Sequence, residues 1–393
     1  MGKTGVRSEW HLLKPRISYF CRHYRKAGGD PSGLFLISAR CAWPDKIPGM
    51  PSRSQILKIL ADGAFHSGTD IGRRLHVTRA AISKAVKALV ADGLEIHRVT
   101  GRGYRLETPF QPLDRARILR ALDDLGFKWP GKLEVLEEVD STNLELLRQA
   151  QTGTAGGRVC VAEAQTGGRG RRGRGWVATP YRNILFSIAW RFDAGSALIG
   201  GLSLAAGVAV LRALRAQGIE GAALKWPNDI VWAAPGILPN ATLAHPCAAQ
   251  VRKLAGLLID VRGEAAGPML AVVGLGLNVQ IAGGDAARID QPWADLAEVS
   301  GRTPDRNSLT AQLIRELAMA LREFERAGFA AFRDEWQRHH YYSNKRVGLT
   351  RTDASTLYGT VAGVDEHGAL LLRDARGRVQ TFHSGEISMR SAQ

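Results

Sequence analysis

Several protein classes are excluded by what this chain has little of. It has four cysteines in 393 residues, Cys21, Cys41, Cys160 and Cys247. They form no CxxC pair and no Cys/His spacing that suits zinc. That argues against a disulfide framework and a zinc ribbon, and nothing here requires an oxidising compartment. No run of about 18 apolar residues occurs, so no membrane span is expected. The N-terminus lacks the apolar run and small-residue cleavage site of a secretory signal, and a cytoplasmic location is expected. Arg338-His339-His340 offers two imidazoles but no third ligand at a useful spacing; surface histidines, and no protein-built metal site, are the expectation. Acidic residues are the scarcer sign. There are 37 Asp and Glu against 53 Lys and Arg, a net charge of +16. A negatively charged partner suits that balance, but composition alone does not separate nucleic acid from nucleotide. The length suits two or three domains.

Glycine and arginine, in contrast, are concentrated. From Gly167 to Trp176 five glycines alternate with four arginines. Glycine permits a positive φ and a close backbone approach. Successive backbone N–H groups in such turns make an anion-binding nest. Arginine adds a fork of donors that fits carboxylate or phosphate. An apolar strand precedes the stretch (Val159-Cys160-Val161-Ala162). Another follows from Ile184 to Phe192, with Ile, Phe, Ile, Trp and Phe alternating on one face. A disordered Arg-Gly nucleic-acid binder has a similar composition, but flanking core strands point to a structured ligand loop.

Along the chain, residues 1–49 are basic, with nine Lys and Arg against three Asp and Glu. They show no sustained period and read as a disordered extension. From 50 to 108 the pattern is helix, helix, helix, wing. Helices are expected over Ser54 to Ala61 and Thr69 to Leu75. A third, Arg79 to Asp92, is capped by Thr78 and ended by Gly93, with Ile82, Val86, Leu89 and Val90 inward. Arg79, Ser83, Lys84 and Lys87 face outward in its first half, as in a recognition helix. Leu94 to Val99, a turn at Thr100 to Gly103, and Tyr104 to Leu106 form a hairpin with Arg102 at its tip. This is a winged helix-turn-helix, with Arg79, Ser83, Lys84, Lys87 and Arg102 as DNA contacts. A winged module used for protein contacts is the alternative.

Thr108 to Pro112 reads as a linker. The next region, 109–340, carries the chemistry. Asp140-Ser141-Thr142-Asn143 caps a helix and supplies more hydrogen-bonding side chains than a cap requires. Lys225-Trp226-Pro227-Asn228-Asp229 is a turn between two strands; Lys225 suits a phosphate and Asp229 a lysine or a metal-bound nucleotide. Residues 233–252 break the pattern as an inserted loop. A strand resumes at Lys253, and a buried glycine-rich strand from Ala271 to Val279 has Asn278 near its end. A helix opening at Asn307 or Ser308 has Leu309, Leu313, Leu317 and Leu321 as core. From 341 to 393 short strands between turns read as a small β-barrel.

Five segments in this order resemble the bifunctional bacterial biotin protein ligases that also repress the biotin operon. They are Gly168-Arg169-Gly170-Arg171-Arg172-Gly173-Arg174 with Trp176, Lys225-Trp226-Pro227-Asn228-Asp229, Lys253-Leu254-Ala255-Gly256, Gly274-Leu275-Gly276-Leu277-Asn278 and Gly385-Glu386-Ile387-Ser388. The resemblance implies an α+β multidomain chain: a winged helix, a mixed-sheet catalytic domain of class II synthetase type, and an SH3-like C-terminal barrel. It implies that ATP, biotin and Mg²⁺ give biotinyl-5′-AMP, and that a lysine of the biotin carboxyl carrier protein of acetyl-CoA carboxylase takes the biotinyl group. By resemblance Ser141, Thr142, Asn143 and Gln165 surround the biotin head. Arg169, Gly170 and Arg171 close over biotin and phosphate. Lys253, with Arg171, Lys225 and Asp229, serves the catalytic step, and Asn278 joins the ligand set. The implied partners are operator DNA and a second copy of the chain once biotinyl-AMP is bound. The chain departs from the pattern in its extension, in its 233–252 insertion and at Gly175, where lysine is common. Three other functions share parts of this pattern. They are a lipoate-type ligase, a ligase whose winged helix no longer regulates, and a ligand-sensing transcription factor without ligase activity.

Overall fold

The structure is a computed structural model. It describes residues 51–391 except 92–93, 152–155, 194–199, 234–250, 264–266, 282, 352–354 and 384–386. The extension 1–49, most of the 233–252 insertion and Gly385-Glu386 therefore lie outside the described residues. Among those described, no helix is long and apolar enough to cross a membrane.

Capping side chains set the first helices. Ser52 and Gln55 form a reciprocal capping box that starts α1, Arg53–Leu60. Ser67 caps α2, Gly68–Leu75, by accepting from the Asp70 N–H. Thr78 Oγ1 accepts from the Ala81 N–H at 3.1 Å and opens α3, Arg79–Ala91. Ile56, Leu57, Leu60, Ile71, Ile82, Ala85, Val86 and Leu89 bury together. Val90, expected inward, is 48% exposed. The stripe through Ile82, Ala85, Val86 and Leu89 leaves position 90 on its flank, and Ala85 takes the inward place. The wing is β1, Ile96–Val99, paired antiparallel with β2, Gly103–Leu106. Gly103 has φ +104°, and a Cβ there would lie 2.1 Å from the His66 carbonyl oxygen. Only glycine lets the wing cross the entry to α2 this closely.

The expected linker is fastened along its length. Arg182 donates to the carbonyls of Thr108 (2.6 Å) and Pro109 (3.1 Å). Arg306 donates to the Gln111 carbonyl and Asn307 to that of Pro112. Leu113 N–H donates to Glu163, which is buried against Arg306 at 2.7 Å. Burial, with Arg306 nearby, pushes the Arg182 guanidinium down to about 10. The winged helix also touches the next domain directly: the Ser54 N–H and the Tyr181 hydroxyl both donate to Glu137.

After α4, Arg115–Asp124, seven strands form one mixed sheet in the order β3-β4-β5-β9-β8-β7-β6. They are β3 Lys132–Val139, β4 Arg158–Gln165, β5 Ile184–Phe192, β6 Ala222–Lys225, β7 Asp229–Trp232, β8 Arg252–Gly263 and β9 Met269–Leu277. The β3–β4 pair is parallel and the others are antiparallel. Alternation along β5 separates two faces. Ile184, Phe186 and Ile188 join the main core with α6, Leu202–Ala216, and α8, Arg306–Ala327. Ala189 on the opposite face packs with Leu146 and Leu147 of α5, Thr142–Gln151. The expected alternation named one buried face of β5; its middle is buried on both. Asp305, two to three residues before the expected start, caps α8 by accepting from the Asn307 and Ser308 N–H groups. Between β9 and α8 lies the short helix α7, Leu296–Ser300.

Helix α9, Ala330–His339, leads into five antiparallel strands in the order β13-β12-β11-β10-β14. These are β10 Arg346–Arg351, β11 Thr356–Val364, β12 Leu370–Arg373, β13 Val379–Phe382 and β14 Ile387–Ser391, the strand set of the expected small β-domain. The histidine expectation needs correction. His340 is fully buried and stacks on Trp336 at 4.4 Å, because the chain turns back here to pair with Leu224 of β6. Burial holds its imidazole down to about 3. Among the described residues no three His, Cys, Asp or Glu side chains are grouped to hold a metal.

Candidate active site

Two strands form a glycine floor on the α5 side of the sheet. On β9, Gly274 and Gly276 lie two residues apart, roughly 7 Å along the strand. A Cβ on Gly274 would sit 2.1 Å from Asn143 Oδ1, and one on Gly276 would sit 2.3 Å from Trp176 Cε2. Across from Gly276 on β8 is Gly256, which faces Trp176 and Lys253. The missing side chains leave a floor on which Asn143 and Trp176 rest directly on backbone.

One end of this floor is neutral and polar. Ser141, Thr142 and Asn143 are buried at the start of α5. Gln165, at the end of β4, accepts from the Thr142 N–H at 2.7 Å and from its hydroxyl at 3.1 Å. Ser187 Oγ on β5 lies 2.7 Å from Thr142 Oγ1 and 2.6 Å from Asn143 Oδ1. Asn143 Nδ2 donates to the Leu258 carbonyl and to Asp260 on β8. Asp140 holds the turn before this cluster. Paired hydrogen bonds from Arg148 bring its carboxyl down to about 2 against partial burial.

The other end is charged. Lys253 Nζ is 2.7 Å from Asp229 Oδ1, and Lys225 Nζ is 4.0 Å from Asp229 Oδ2. Lys253 also lies over the Trp176 ring at 5.3 Å. Arg171 reaches this end from the Gly-Arg loop, its Nη1 donating to Asn228 Oδ1 at 3.3 Å. Burial, then Arg172, lower its guanidinium pKa, and Asp229 opposes them. Three cations thus converge around one carboxylate, the electrostatics expected where an anionic ligand binds.

The Gly-Arg loop spans both ends as an ordered hairpin. Thr166 and Gly167 N–H groups donate to the carbonyls of Val139 and Asp140, tying its entry to the end of β3. The Gly170 N–H donates to the Arg174 carbonyl at 2.7 Å and the Trp176 N–H to that of Gly168 at 2.9 Å. Its tip is a single 3-10 turn over Arg171–Gly173, with Arg172 at φ +57° and Gly173 at φ +70°. Arg169 donates to Asp260 at 3.3 Å. These hydrogen bonds are not those of a disordered Arg-Gly tract.

Most of the expected site residues come together here: Ser141, Thr142, Asn143 and Gln165 at the neutral end, Arg171, Lys225, Asp229 and Lys253 at the charged end, and Arg169 and Gly170 in the loop. Asn278 follows directly after β9, and its Oδ1 has no hydrogen-bond partner among the described residues. It is buried, and its Nδ2 donates to the carbonyls of Ala294 (3.1 Å) and Lys253 (3.3 Å). It therefore holds the backbone of Lys253, while its side-chain N–H groups serve the protein. Ser187 and Asp260 were not anticipated, and Asn228 was expected only as a turn residue of the Lys-Trp-Pro-Asn-Asp segment. Ser187 alternates with the apolar residues of β5, and a small hydroxyl in a core strand was the available signal. Asp260 reaches the site through strand register, which local sequence does not carry, and Asn228 reaches it from the turn between β6 and β7. In the winged helix, Arg79, Lys84, Lys87 and Arg102 are exposed and Ser83 is half-buried. The Arg102 guanidinium stacks over Phe65 at 4.3 Å.

Residues 135–278 match the biotin/lipoate A/B protein ligase family, residues 52–105 an HTH domain, and residues 342–390 the biotin protein ligase C-terminal domain. The bifunctional ligase/repressor BirA of Escherichia coli K12 is 36% identical over 339 residues, 86% of this chain and 97% of that protein. The biotin–[acetyl-CoA-carboxylase] ligase of Mycobacterium tuberculosis is 33% identical, covering 70% of this chain and 95% of that one. Among solved structures, the biotin protein ligase of Aquifex aeolicus in complex with biotin and ATP superposes with a TM-score of 0.52. It is 25% identical, over 66% of this chain and 99% of that one.

Proposed function

We propose that this chain, which belongs to the BirA family of bifunctional ligase/repressors, activates biotin as biotinyl-5′-AMP and transfers it to a lysine of a biotin carboxyl carrier protein. The observation that carries this reaction is the pairing of a buried neutral cluster, Ser141 to Asn143 with Gln165, with the Lys253–Asp229 pair across a glycine floor. A ureido ring needs hydroxyl and amide partners when it is buried. The carboxylate at the far end of the same molecule needs a cation.

In the first step the biotin carboxylate attacks the α-phosphorus of ATP and pyrophosphate leaves. Lys253 neutralises the carboxylate and then the charge gathering on the α-phosphate. Arg171, Lys225 and Asp229 arrange the phosphates. Arg169 and Gly170 belong to the loop that covers the reacting atoms and keeps water from the acyl phosphate. In the second step the carrier lysine attacks the acyl carbon and AMP leaves. Both nucleophiles come from the substrates, so catalysis here is positioning and charge stabilisation. Mg²⁺ would enter this site as a companion of the ATP phosphates, with Asp229 the carboxylate at hand.

The acceptor is the carrier protein of acetyl-CoA carboxylase, the enzyme named in the M. tuberculosis relative's description. The winged helix, with Arg79, Ser83, Lys84, Lys87 and Arg102 toward operator DNA, makes the adenylate-bound dimer a repressor. Both roles place the protein in the cytoplasm. Incubation with ATP, Mg²⁺ and biotin, then with carrier protein, tests the reaction by mass spectrometry. Biotinyl-AMP and a biotinylated carrier lysine are expected. Adenylation of lipoate in place of biotin would contradict the assignment.

A further inference from the structure

Asp260 lies outside the Lys253–Asp229 centre, yet one of its oxygens joins two parts of the site. Asp260 Oδ2 accepts from Asn143 Nδ2 at 2.8 Å and from Arg169 Nη2 at 3.3 Å. Asn143 belongs to the neutral cluster and Arg169 to the Gly-Arg loop. Its place follows from strand register: Gly256, Leu258 and Asp260 alternate along β8 and lie on the same sheet face as their cross-strand partners Gly276, Gly274 and Val272 of β9.

A carboxylate only accepts hydrogen bonds when ionised, so it selects the NH₂ side of a neighbouring amide. The Leu258 carbonyl makes the same demand on Asn143 Nδ2 at 3.1 Å. Together they fix the amide with Oδ1 toward Ser187 and the glycine floor, where Ser187 Oγ lies 2.6 Å away. An amide at position 260 would remove that selection, because it offers a donor as well as an acceptor. It would also take the counter-charge from Arg169.

We propose that Asp260 is a positioning residue of the adenylation site, holding Asn143 in the orientation that reads the ligand's polar head and tethering the Gly-Arg loop beside it. Recognition of the head and closure of the loop are thereby coupled through one carboxylate oxygen. The proposal rests on the biotin ligase assignment above.

The test compares the full-length wild type with Asp260→Asn and Asp260→Glu. It uses biotin- and ATP-dependent pyrophosphate release, melting temperature, and trypsin cleavage at the loop arginines. For Asp260→Asn the KM for biotin is expected to rise roughly tenfold or more, as for loss of a hydrogen bond to a charged group, with the KM for ATP within about twofold. The loop should be cut faster than in wild type, and biotin should slow that cutting less. Asp260→Glu should recover most of the biotin KM. Wild-type biotin KM and wild-type loop cleavage in Asp260→Asn would overturn the proposal. So would equal rises in both KM values accompanied by a fall in melting temperature, the mark of general damage. Failure of the wild type to release pyrophosphate with biotin would overturn the ligase assignment itself and is seen before any variant is made.

Discussion

At the residue scale, close approach explains more of this site than side-chain identity does. Gly276 is a glycine because the Trp176 indole occupies the space of its Cβ, 2.3 Å from Cε2. Gly276→Ala should leave a folded protein, since overpacking of this kind costs about 1–3 kcal/mol. It should displace Trp176 and with it the loop exit, so the KM for biotin should rise roughly tenfold. A biotin titration of initial rates checks this, and an unchanged KM would mean that the indole has room to move. His340 gives a second prediction. Neither of its ring nitrogens has a hydrogen-bond partner among the described residues, and burial holds its folded pKa at about 3, against an ordinary value of 6.5. Stability from the neutral ring is complete above the unfolded pKa and is lost as pH falls from there toward the folded value, because the unfolded chain takes the proton first. His340→Phe keeps the stacking on Trp336 and removes both nitrogens. It should raise Tm by about 2–4 °C at neutral pH and flatten the loss of stability between pH 6.5 and 3. Thermal melts across that range decide it; an unchanged acid limb would show that other groups dominate there.

At the element scale, the linker behaves as a structural element. Glu163 and Arg306 are almost fully buried, and together they hold Leu113 and Gln111. Breaking a buried pair from one side is costly because the other charge stays behind. Glu163→Gln and Arg306→Met should each destabilise by about 3–5 kcal/mol, and the double variant by clearly less than their sum. Urea unfolding of the four proteins measures this, and additive losses would contradict the coupling. The chain's periodicity made the helices legible. Leu309, Leu313, Leu317 and Leu321 are all buried in α8, and the Thr78 cap stands where it was expected. Pro109 and Pro112 made 108–112 look like a plain linker, because partners as distant as Arg306 leave no local pattern. For the same reason the Gly-Arg and Lys-Trp-Pro-Asn-Asp segments were readable as site motifs, whereas Asp260 became visible only through the register of β8 on β9.

At the scale of the whole molecule, the winged helix and the ligand cluster share β3. Ser54 of α1 and Tyr181 meet at Glu137, and the strand then runs directly into Asp140 and Ser141. One recognition helix reads one half-site, so an operator with two half-sites calls for a dimer. Dimerisation and operator affinity should therefore both increase with biotin plus ATP, relative to no ligand or biotin alone. Affinity should fall steeply with salt as Arg79, Lys84, Lys87 and Arg102 displace counterions. Sedimentation and operator binding under the three conditions test this; equal values throughout would leave a ligase with an unregulated winged helix. The central claim is that Lys253, set against Asp229 and Trp176, stabilises the charge that develops as biotin is adenylated. Biotin-dependent exchange of labelled pyrophosphate into ATP measures that step alone. Wild type should exchange, and Lys253→Ala should exchange about 10²–10³-fold more slowly with its fold intact. Equal exchange by the two proteins, or exchange by wild type without biotin, would contradict it.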